Sequence, residues 1–424
     1  MISPKVILSK LFETKVGQGS IILFLASFLS GFFNYLFNPI MGRFLGPNLY
    51  GELASLLSLL NLTSVVTLAL GTVVVKFTSD FKAKNENNKI SELLLGLTNK
   101  FFLLSGFFFI IFVFVSKYIA DFLKLNQNLP VIILAALIAI SFFLTINNGV
   151  LQGLLDFTFY SISLLSQSLT RLIFGFLVVF LGFKLNGVMS AILFGLGLTY
   201  ILTFYPLRIY LKKIPNKQEF PWKGLFSYSL TTFISILGLA LIMTTDIVLV
   251  KHFFSASEAG LYSAASLTAK IILFLVTPVI LVMFPLISER ASSNKGYIHL
   301  LYYTFGFALL VGGILTIIYF LFSEFILGIL FGQKYLEVAP ILGMFALFIF
   351  LYTLSTVLVY FYLSIQKIKV STIPFLISLL QIILIWFYHS SLLVVLQINL
   401  LVSALLLFLL MVYYAKLKIS YGKY

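Results

Sequence analysis

The chain has 424 residues, of which 61% are hydrophobic and only 10% charged, and its formal net charge is +15. Soluble domains carry about 25% charged residues, so this composition excludes a soluble globular protein and points to a polytopic membrane protein. The lack of cysteine excludes disulfides, thiolate metal sites and a cysteine nucleophile. His252, His299 and His389 are scattered with no metal-ligand spacing, so no metal or cofactor is expected.

Residues 1–19 are too polar to form the apolar stretch of a cleavable signal. Ile7, Leu8, Leu11 and Phe12 share a helical face, with Lys5, Lys10 and Lys15 elsewhere; a short interfacial helix and a frayed basic terminus both fit. Twelve apolar spans follow, at about 20–41, 50–75, 94–116, 130–154, 160–182, 187–208, 225–250, 260–287, 299–322, 338–363, 370–389 and 391–414. The weakest break is HSS at 389–391. A single helix over 370–414 would run about 67 Å at 1.5 Å per residue, too long for a bilayer, so it is divided there. The expected fold is all-α, with about twelve transmembrane helices.

An even number of spans puts both termini on one side, and Lys and Arg choose that side. The termini and the even-to-odd loops hold most of them, including Lys76, Lys82, Lys84 and Lys89, then Arg208, Lys212, Lys213, Lys217 and Lys223. The opposite loops hold Arg43, Lys117, Lys124, Lys184, Lys251 and Lys334. Both termini are therefore expected in the cytoplasm of a multi-pass plasma-membrane protein. The basic face suits anionic membrane lipid rather than nucleic acid. The basic break IYLKKIPNKQEFPWKG (209–224) with its two prolines reads as a cytoplasmic linker between an N-terminal six-helix bundle (1–208) and a C-terminal one (225–424).

Two segments echo one another at equivalent places in this order. GRFLGPNLYGELAS (42–55) joins spans 1 and 2, and KHFFSASEAGLYSA (251–264) joins spans 7 and 8. Each is read as a short turn ending in a glycine, Gly51 or Gly260, the pattern expected of a duplicated half. RFLGPNLYG (43–51), SASEAGLYSAA (255–265) and VMFPLISER (282–290) resemble the polysaccharide-export, or oligosaccharide flippase, branch of the multidrug/oligosaccharidyl-lipid/polysaccharide exporter superfamily. That resemblance implies two six-helix bundles around a V-shaped central cavity, alternating access, and a lipid-linked glycan moved from the cytoplasmic to the outer leaflet. It also implies a polysaccharide polymerase or glycosyltransferases as partners. Lipid II flippases of the superfamily usually have two more spans, which argues against a peptidoglycan role.

A protein that carries phosphates and sugar hydroxyls through hydrocarbon needs cations and hydrogen-bonding side chains inside the membrane. Arg171, in the middle of span 5 with Gln167 one turn before it, is the leading candidate to grip pyrophosphate or an acidic sugar; a structural ion pair is the other reading. Lys270 in span 8 and Asp246 in span 7 are either a structural pair or a substrate cation and a coupling carboxylate for a proton or another cation. Asn34 and Asn38 form a stripe on span 1, and Asn147, Asn148 and Gln152 cluster late in span 4; cavity lining and helix–helix glue both fit. Gln381, Gln397 and Asn399 dot the last two spans. Arg43 with Glu52 is read as a clamp on the first turn, Lys100 as snorkelling to the interface, and Asp156 as a rim residue. Pro39, Pro278 and Pro285 favour kinks, so Pro39 and Pro278, with Gly51 and Gly260, are the candidates for gating.

Three functions compete. The in-span cations favour a flippase for an anionic lipid-linked glycan over a drug or small-metabolite antiporter. A membrane-embedded polymerase or ligase generally needs a substantial exterior loop, and none exceeds about 16 residues here. The acids on that side are dispersed, so the chain is read as a transporter and not an enzyme, and without a phosphate-binding glycine loop direct nucleotide-driven pumping is not expected.

Overall fold

The computed structural model describes residues 15–211, 229–292, 296–367, 370 and 372–420. The expected interfacial helix before span 1 and most of the 209–224 linker lie outside them. Among the described residues the chain is a succession of helices. The first, α1 (Lys15–Ala83), has 69 residues, about 100 Å at helical rise and far too long for one crossing. Only Gly46 inside it leaves helical dihedrals, at φ 71° and ψ 172°. A positive φ is open to glycine without a Cβ clash, so the chain turns there and α1 supplies spans 1 and 2. This corrects the expectation for Gly51, which lies in the helix after the turn. Pro39, expected to kink span 1, is carried within regular helix.

α2 (Asn87–Phe122), α3 (Leu129–Gly153), α4 (Phe157–Phe180) and α5 (Leu185–Leu211) follow, then α6 (Ser229–Phe253). The eighth span is two helices, α7 (Ala256–Ala269) and α8 (Ile271–Ser292), divided at Lys270. Pro278 and Pro285 both sit inside α8, so the break comes before them. Gly260 likewise lies within α7 rather than in the turn. That turn is closed by a capping box: the Ser255 side chain takes the N–H of Glu258, and Glu258 returns a carboxylate oxygen to the Ser255 N–H. The chain continues with α9 (Ile298–Leu321), the short α10 (Ser323–Leu330), a 3₁₀ turn (Gln333–Val338), α11 (Ala339–Ser364), α12 (Ile373–Phe387) and α13 (Leu392–Ser420). Among the described residues ten helices are long and apolar enough to cross a membrane, α1 among them, and Ile373–Phe387 is a shorter apolar helix. With α1 crossing twice, these give the twelve expected spans of a multi-pass membrane protein. Rows of outward phenylalanines such as Phe102, Phe107 and Phe114 on α2 suit contact with lipid tails.

The described residues fall into two compact units. The first comprises Met1–Leu45 and Val66–Leu225, and the second comprises Gly46–Val65 and Phe226–Tyr424. In the first unit α3 packs between α2 and α5, and α4 packs along α5. Val74, Ile90, Leu94, Ile146, Val150 and Leu207 form a buried core there. In the second unit α11 is central, with α8, α9 and α13 against it, and α6 pairs with α12. The α6–α12 pair is set by one glycine: a Cβ on Gly238 would lie 2.2 Å from the backbone nitrogen of Phe375. Backbone cannot yield as a side-chain tip does. Gly238→Ala is therefore expected to destabilise the protein by about 1–3 kcal/mol, seen as a lower unfolding temperature in detergent.

Candidate functional site

Arg171, on α4 of the first unit, lies with its guanidinium carbon 4.2 Å from the ring centre of Phe37, a cation–π distance. Its Nη1 donates to Asn34 Oδ1 at 3.5 Å, the long limit of a hydrogen bond. Asn34 Nδ2 in turn reaches Ser30 Oγ at 3.5 Å, and Ser30 Oγ donates to the Leu164 carbonyl on α4 at 3.1 Å. Span 1 and α4 are thus stitched together by polar groups at the depth of Arg171. Gly175, one turn beyond Arg171, makes room for the ring: a Cβ there would meet Phe37 Cε2 at 2.7 Å. Phe37, Ser30 and Gly175 were not singled out from sequence, because a phenylalanine among 47 carries no signal of its own.

Of the other candidates in this unit, Gln167 is partly buried one turn before Arg171. Asn38 donates back to the Asn34 carbonyl of its own helix at 3.2 Å. Asn148 and Gln152 lie on α3, and no hydrogen bond joins either to Arg171 or Asn34 among the described residues. Asn148 Oδ1 is buried without a hydrogen-bond partner. Asn147 acts as helix glue, donating to Thr203 Oγ1 at 2.7 Å. Lys100 is exposed. Asp156 caps α4, taking the Phe159 N–H at 3.3 Å, a more specific task than the rim position expected for it.

The second unit contains a buried polar network. Asp246 Oδ1 accepts the N–H of Ile247 at 2.8 Å, and its Oδ2 accepts from Tyr262 Oη at 2.8 Å and from Asn399 Nδ2 at 3.1 Å. Asn399 Nδ2 also reaches Tyr262 Oη at 2.7 Å. Gln381 Nε2 donates to Asn399 Oδ1 at 2.7 Å and to the Ile242 carbonyl at 3.2 Å. Asp246, Tyr262, Gln381 and Asn399 are all buried. The network therefore ties α6, α7, α12 and α13 around one carboxylate. Lys270 was expected to pair with Asp246. Its Nζ instead donates to the Met243 carbonyl at 3.0 Å, with the carboxylate still within electrostatic reach. Gln381 and Asn399 were visible only as isolated polar residues, and Tyr262 was not singled out. Asn399→Leu removes donors from Asp246 and Tyr262 and the acceptor of Gln381. Each buried group left unpaired costs about 1–3 kcal/mol, so a marked drop in unfolding temperature is expected, measured on the detergent-solubilised protein.

Lys251, read as a loop charge, and Glu52, read as a clamp on the first turn, are both buried. Lys251 is in the last turn of α6, Glu52 is in α1, and both are enclosed by protein. Glu52, expected with Arg43, has Lys251 as a charged neighbour.

The profile of a family described as polysaccharide biosynthesis protein matches residues 16–291. The chain belongs to that family. The matched stretch contains all three motifs that carried the resemblance, and it contains Arg171, Asp246 and Lys270. No curated protein matches the chain by sequence. Solved structures share its fold. An inward-facing multidrug resistance transporter of the MATE family, MOP superfamily, is 13% identical, with 92% of this chain and 94% of that one covered, at a TM-score of 0.78. The lipid II flippase MurJ in an inward closed conformation is 17% identical, covering 95% and 88%, at 0.72. A MOP-superfamily transporter from Pyrococcus furiosus, whose binding pocket is described as reversed in polarity, is 13% identical, covering 98% of each chain, at 0.65. At these identities the likeness establishes a shared fold.

Proposed function

We propose that this family member is a flippase that moves a polyprenyl-pyrophosphate-linked oligosaccharide from the inner to the outer leaflet of the plasma membrane. The glycan would be the repeat unit of an O-antigen, capsule or exopolysaccharide. Both termini face the cytoplasm, and access alternates across a V-shaped cavity between two six-helix bundles. The observation that carries this reading is Arg171, a guanidinium placed mid-span against Asn34 and Phe37, in a chain of the polysaccharide biosynthesis family. Its site is built from a cation, an aromatic face and neutral amides. Those are the groups that would bind a phosphate and sugar hydroxyls.

Asp246, in its network with Tyr262, Asn399 and Gln381, is the group we assign to coupling with a proton or another cation. Lys270 stands beside it as the second cation, and Gln167, Asn38, Asn148 and Gln152 add hydrogen-bonding capacity along the route. A polysaccharide polymerase and glycosyltransferases would act on either side of the transport step. The shared fold with multidrug transporters keeps a small-molecule antiporter as the second reading, which the mid-span arginine disfavours for cationic drugs.

The deciding test is protein-dependent translocation of a fluorescent polyprenyl-pyrophosphoryl oligosaccharide in proteoliposomes. Flipping of the pyrophosphoryl lipid, with no movement of cationic dyes, is the expected result. Dye efflux without lipid flipping across several glycans would transfer the assignment to the antiporter.

A further inference from the structure

A groove lies between α4 and α5 in the first unit, and the residues of α5 explain it. The two helices are pinned at depth. A Cβ on Gly195 would lie 2.6 Å from Thr170 Oγ1 and 3.4 Å from the Arg171 backbone nitrogen, and Ser166 Oγ meets Thr199 Oγ1 at 3.1 Å. Toward the loop that joins the helices, α5 presents Gly187, Ser190 and Ala191, which are too small to fill the space facing α4. A cavity of 440 Å³ results, walled also by Phe174, Phe183 and Phe194. Phe174 and Phe194 close its deep end, their rings edge to face with centres 5.0 Å apart.

Size and wall chemistry fit a ligand site. Such sites measure about 300–1,000 Å³ and have mostly apolar, aromatic walls with a few placed polar groups. Here the polar groups gather at one end. Lys184 is exposed in the loop just before α5, and beside it Asn186 Nδ2 donates to Gln127 Oε1 at 2.8 Å. The rim thus offers a cation and two side-chain amides. From Leu185 to Phe194 the helix rises about 14 Å, close to half of a roughly 30 Å hydrocarbon core. Phe183 and Phe194 are both exposed, so the groove is open at the protein surface. A cationic rim above an open apolar channel one leaflet deep matches a lipid with an anionic head, not a water-soluble molecule.

We propose that the α4–α5 groove binds the prenyl chain of a polyprenyl phosphate-bearing lipid, with the phosphate at Lys184 and the chain reaching Phe174 and Phe194. The proposal rests on the transport reading above and deepens it, since it gives the lipid half of the substrate a place on the helix that carries Arg171. Two features favour a prenyl chain over the acyl chain of a phospholipid. A single groove takes one chain, and a phospholipid would leave its second chain outside. Each prenyl unit also holds a double bond that cannot rotate, so ordering it against three aromatic walls costs less entropy than ordering a saturated chain of the same length.

The test is photolabelling of the full chain in lipid nanodiscs with a polyprenyl phosphate that carries a diazirine on its chain, followed by mass spectrometry of the peptides. Labels are expected within residues 174–194. Unlabelled polyprenyl phosphate is expected to displace the probe, and phosphatidylglycerol at the same concentration to leave it in place. Ser190 is exposed, so Ser190→Trp fills the groove from its open side; it is expected to lower labelling there about tenfold, equivalent to about 1.4 kcal/mol. Lys184→Gln is expected to raise the polyprenyl phosphate needed for displacement about threefold, as an exposed charge pair allows, while polyprenol competes as it does in the wild type.

Displacement by phosphatidylglycerol as effective as that by polyprenyl phosphate overturns the proposal and makes the groove a phospholipid contact. So does labelling on the outward phenylalanines of α2, such as Phe102 and Phe114, with none at 174–194. An unchanged preference for the phosphate over the alcohol in Lys184→Gln overturns the placement of the head. If Ser190→Trp unfolds at a lower temperature than the wild type, the smaller Ser190→Leu takes its place, and the competition on the wild type decides without either. The two proposals fail separately. Labelling of the groove specific to polyprenyl phosphate, without flipping of any lipid-linked glycan, removes the flippase and keeps the groove. Full-rate flipping in Ser190→Trp, with labels outside the groove, removes the groove and keeps the flippase.

Discussion

Arg171→Ala is expected to lower flipping of a polyprenyl-pyrophosphoryl oligosaccharide by about 10- to 150-fold, the loss of a charge-assisted hydrogen bond worth about 1.5–3 kcal/mol. The cost of placing an arginine at mid-membrane is about 2.5–3.5 kcal/mol on insertion scales, which sets up a clean contrast. Were Arg171 a structural prop, removing it would strip Asn34 and Phe37 of their partner and the protein would unfold at lower temperature. Were it a substrate group, an apolar replacement of similar length would relieve a desolvated charge. Arg171→Met is therefore expected to unfold at the wild-type temperature or above while flipping falls as in Arg171→Ala. Loss of stability in parallel with loss of flipping would return Arg171 to a structural role. Arg171→Lys is expected to recover only part of the rate, because an ammonium cannot reproduce the planar fork that reaches Asn34 and lies over Phe37 at 4.2 Å. Flipping rates in proteoliposomes and unfolding temperatures in detergent, on the same preparations, give both readouts.

The sequence carried what depends on composition and period. Apolar blocks of about 20 residues announce crossings because a bilayer has a fixed thickness, so the number and order of spans were legible, including the division at 389–391. Arg171 was legible for the same reason: a charge in the middle of an apolar block is conspicuous. What the sequence could not show were properties of distant neighbours. Phe37 becomes a cation–π partner only because Gly175 on another helix leaves it room. Tyr262 matters because Asp246 lies sixteen residues earlier on the facing helix. Lys251 looked like a loop charge because its helix was ended one residue before it, and Glu52 looked like a partner for Arg43 in the first turn; tertiary packing enclosed both. The glycines misled in an instructive way. Gly46, Gly51 and Gly260 all sit in turn-like strings, and sequence does not separate a glycine needed for positive φ from one needed for close approach. Gly46 proved to be the first kind, and Gly51 and Gly260 the second.

Asp246→Asn is expected to abolish stimulation of flipping by an imposed proton or sodium gradient, while gradient-independent flipping persists. The reason lies in the geometry of the donors. Both oxygens of Asp246 accept: Oδ1 takes the Ile247 N–H, and Oδ2 takes Tyr262 Oη and Asn399 Nδ2. A carboxylate, which has no hydrogen of its own, satisfies every one of these donors. An amide presents N–H on one side, so a donor there must turn away, and a neutral acid carries an O–H that needs an acceptor of its own. The backbone N–H of Ile247 is fixed within α6, and Asn399 is held by Gln381. The Tyr262 hydroxyl is the one rotor in the set, and it stands on α7 two residues after Gly260. A change of charge at Asp246 therefore reaches α7. A bound monovalent cation would act on the same carboxylate oxygens and displace the same donors. Tyr262→Phe removes the rotor and leaves the carboxylate, so it is expected to weaken gradient stimulation by about tenfold, roughly 1.4 kcal/mol of coupling, with flipping in the absence of a gradient little changed. Gradient stimulation that survives in Asp246→Asn would make the network a structural clamp on α6, α7, α12 and α13. Loss in Asp246→Asn with full stimulation in Tyr262→Phe would keep the carboxylate as the coupling group and remove the tyrosine from the route.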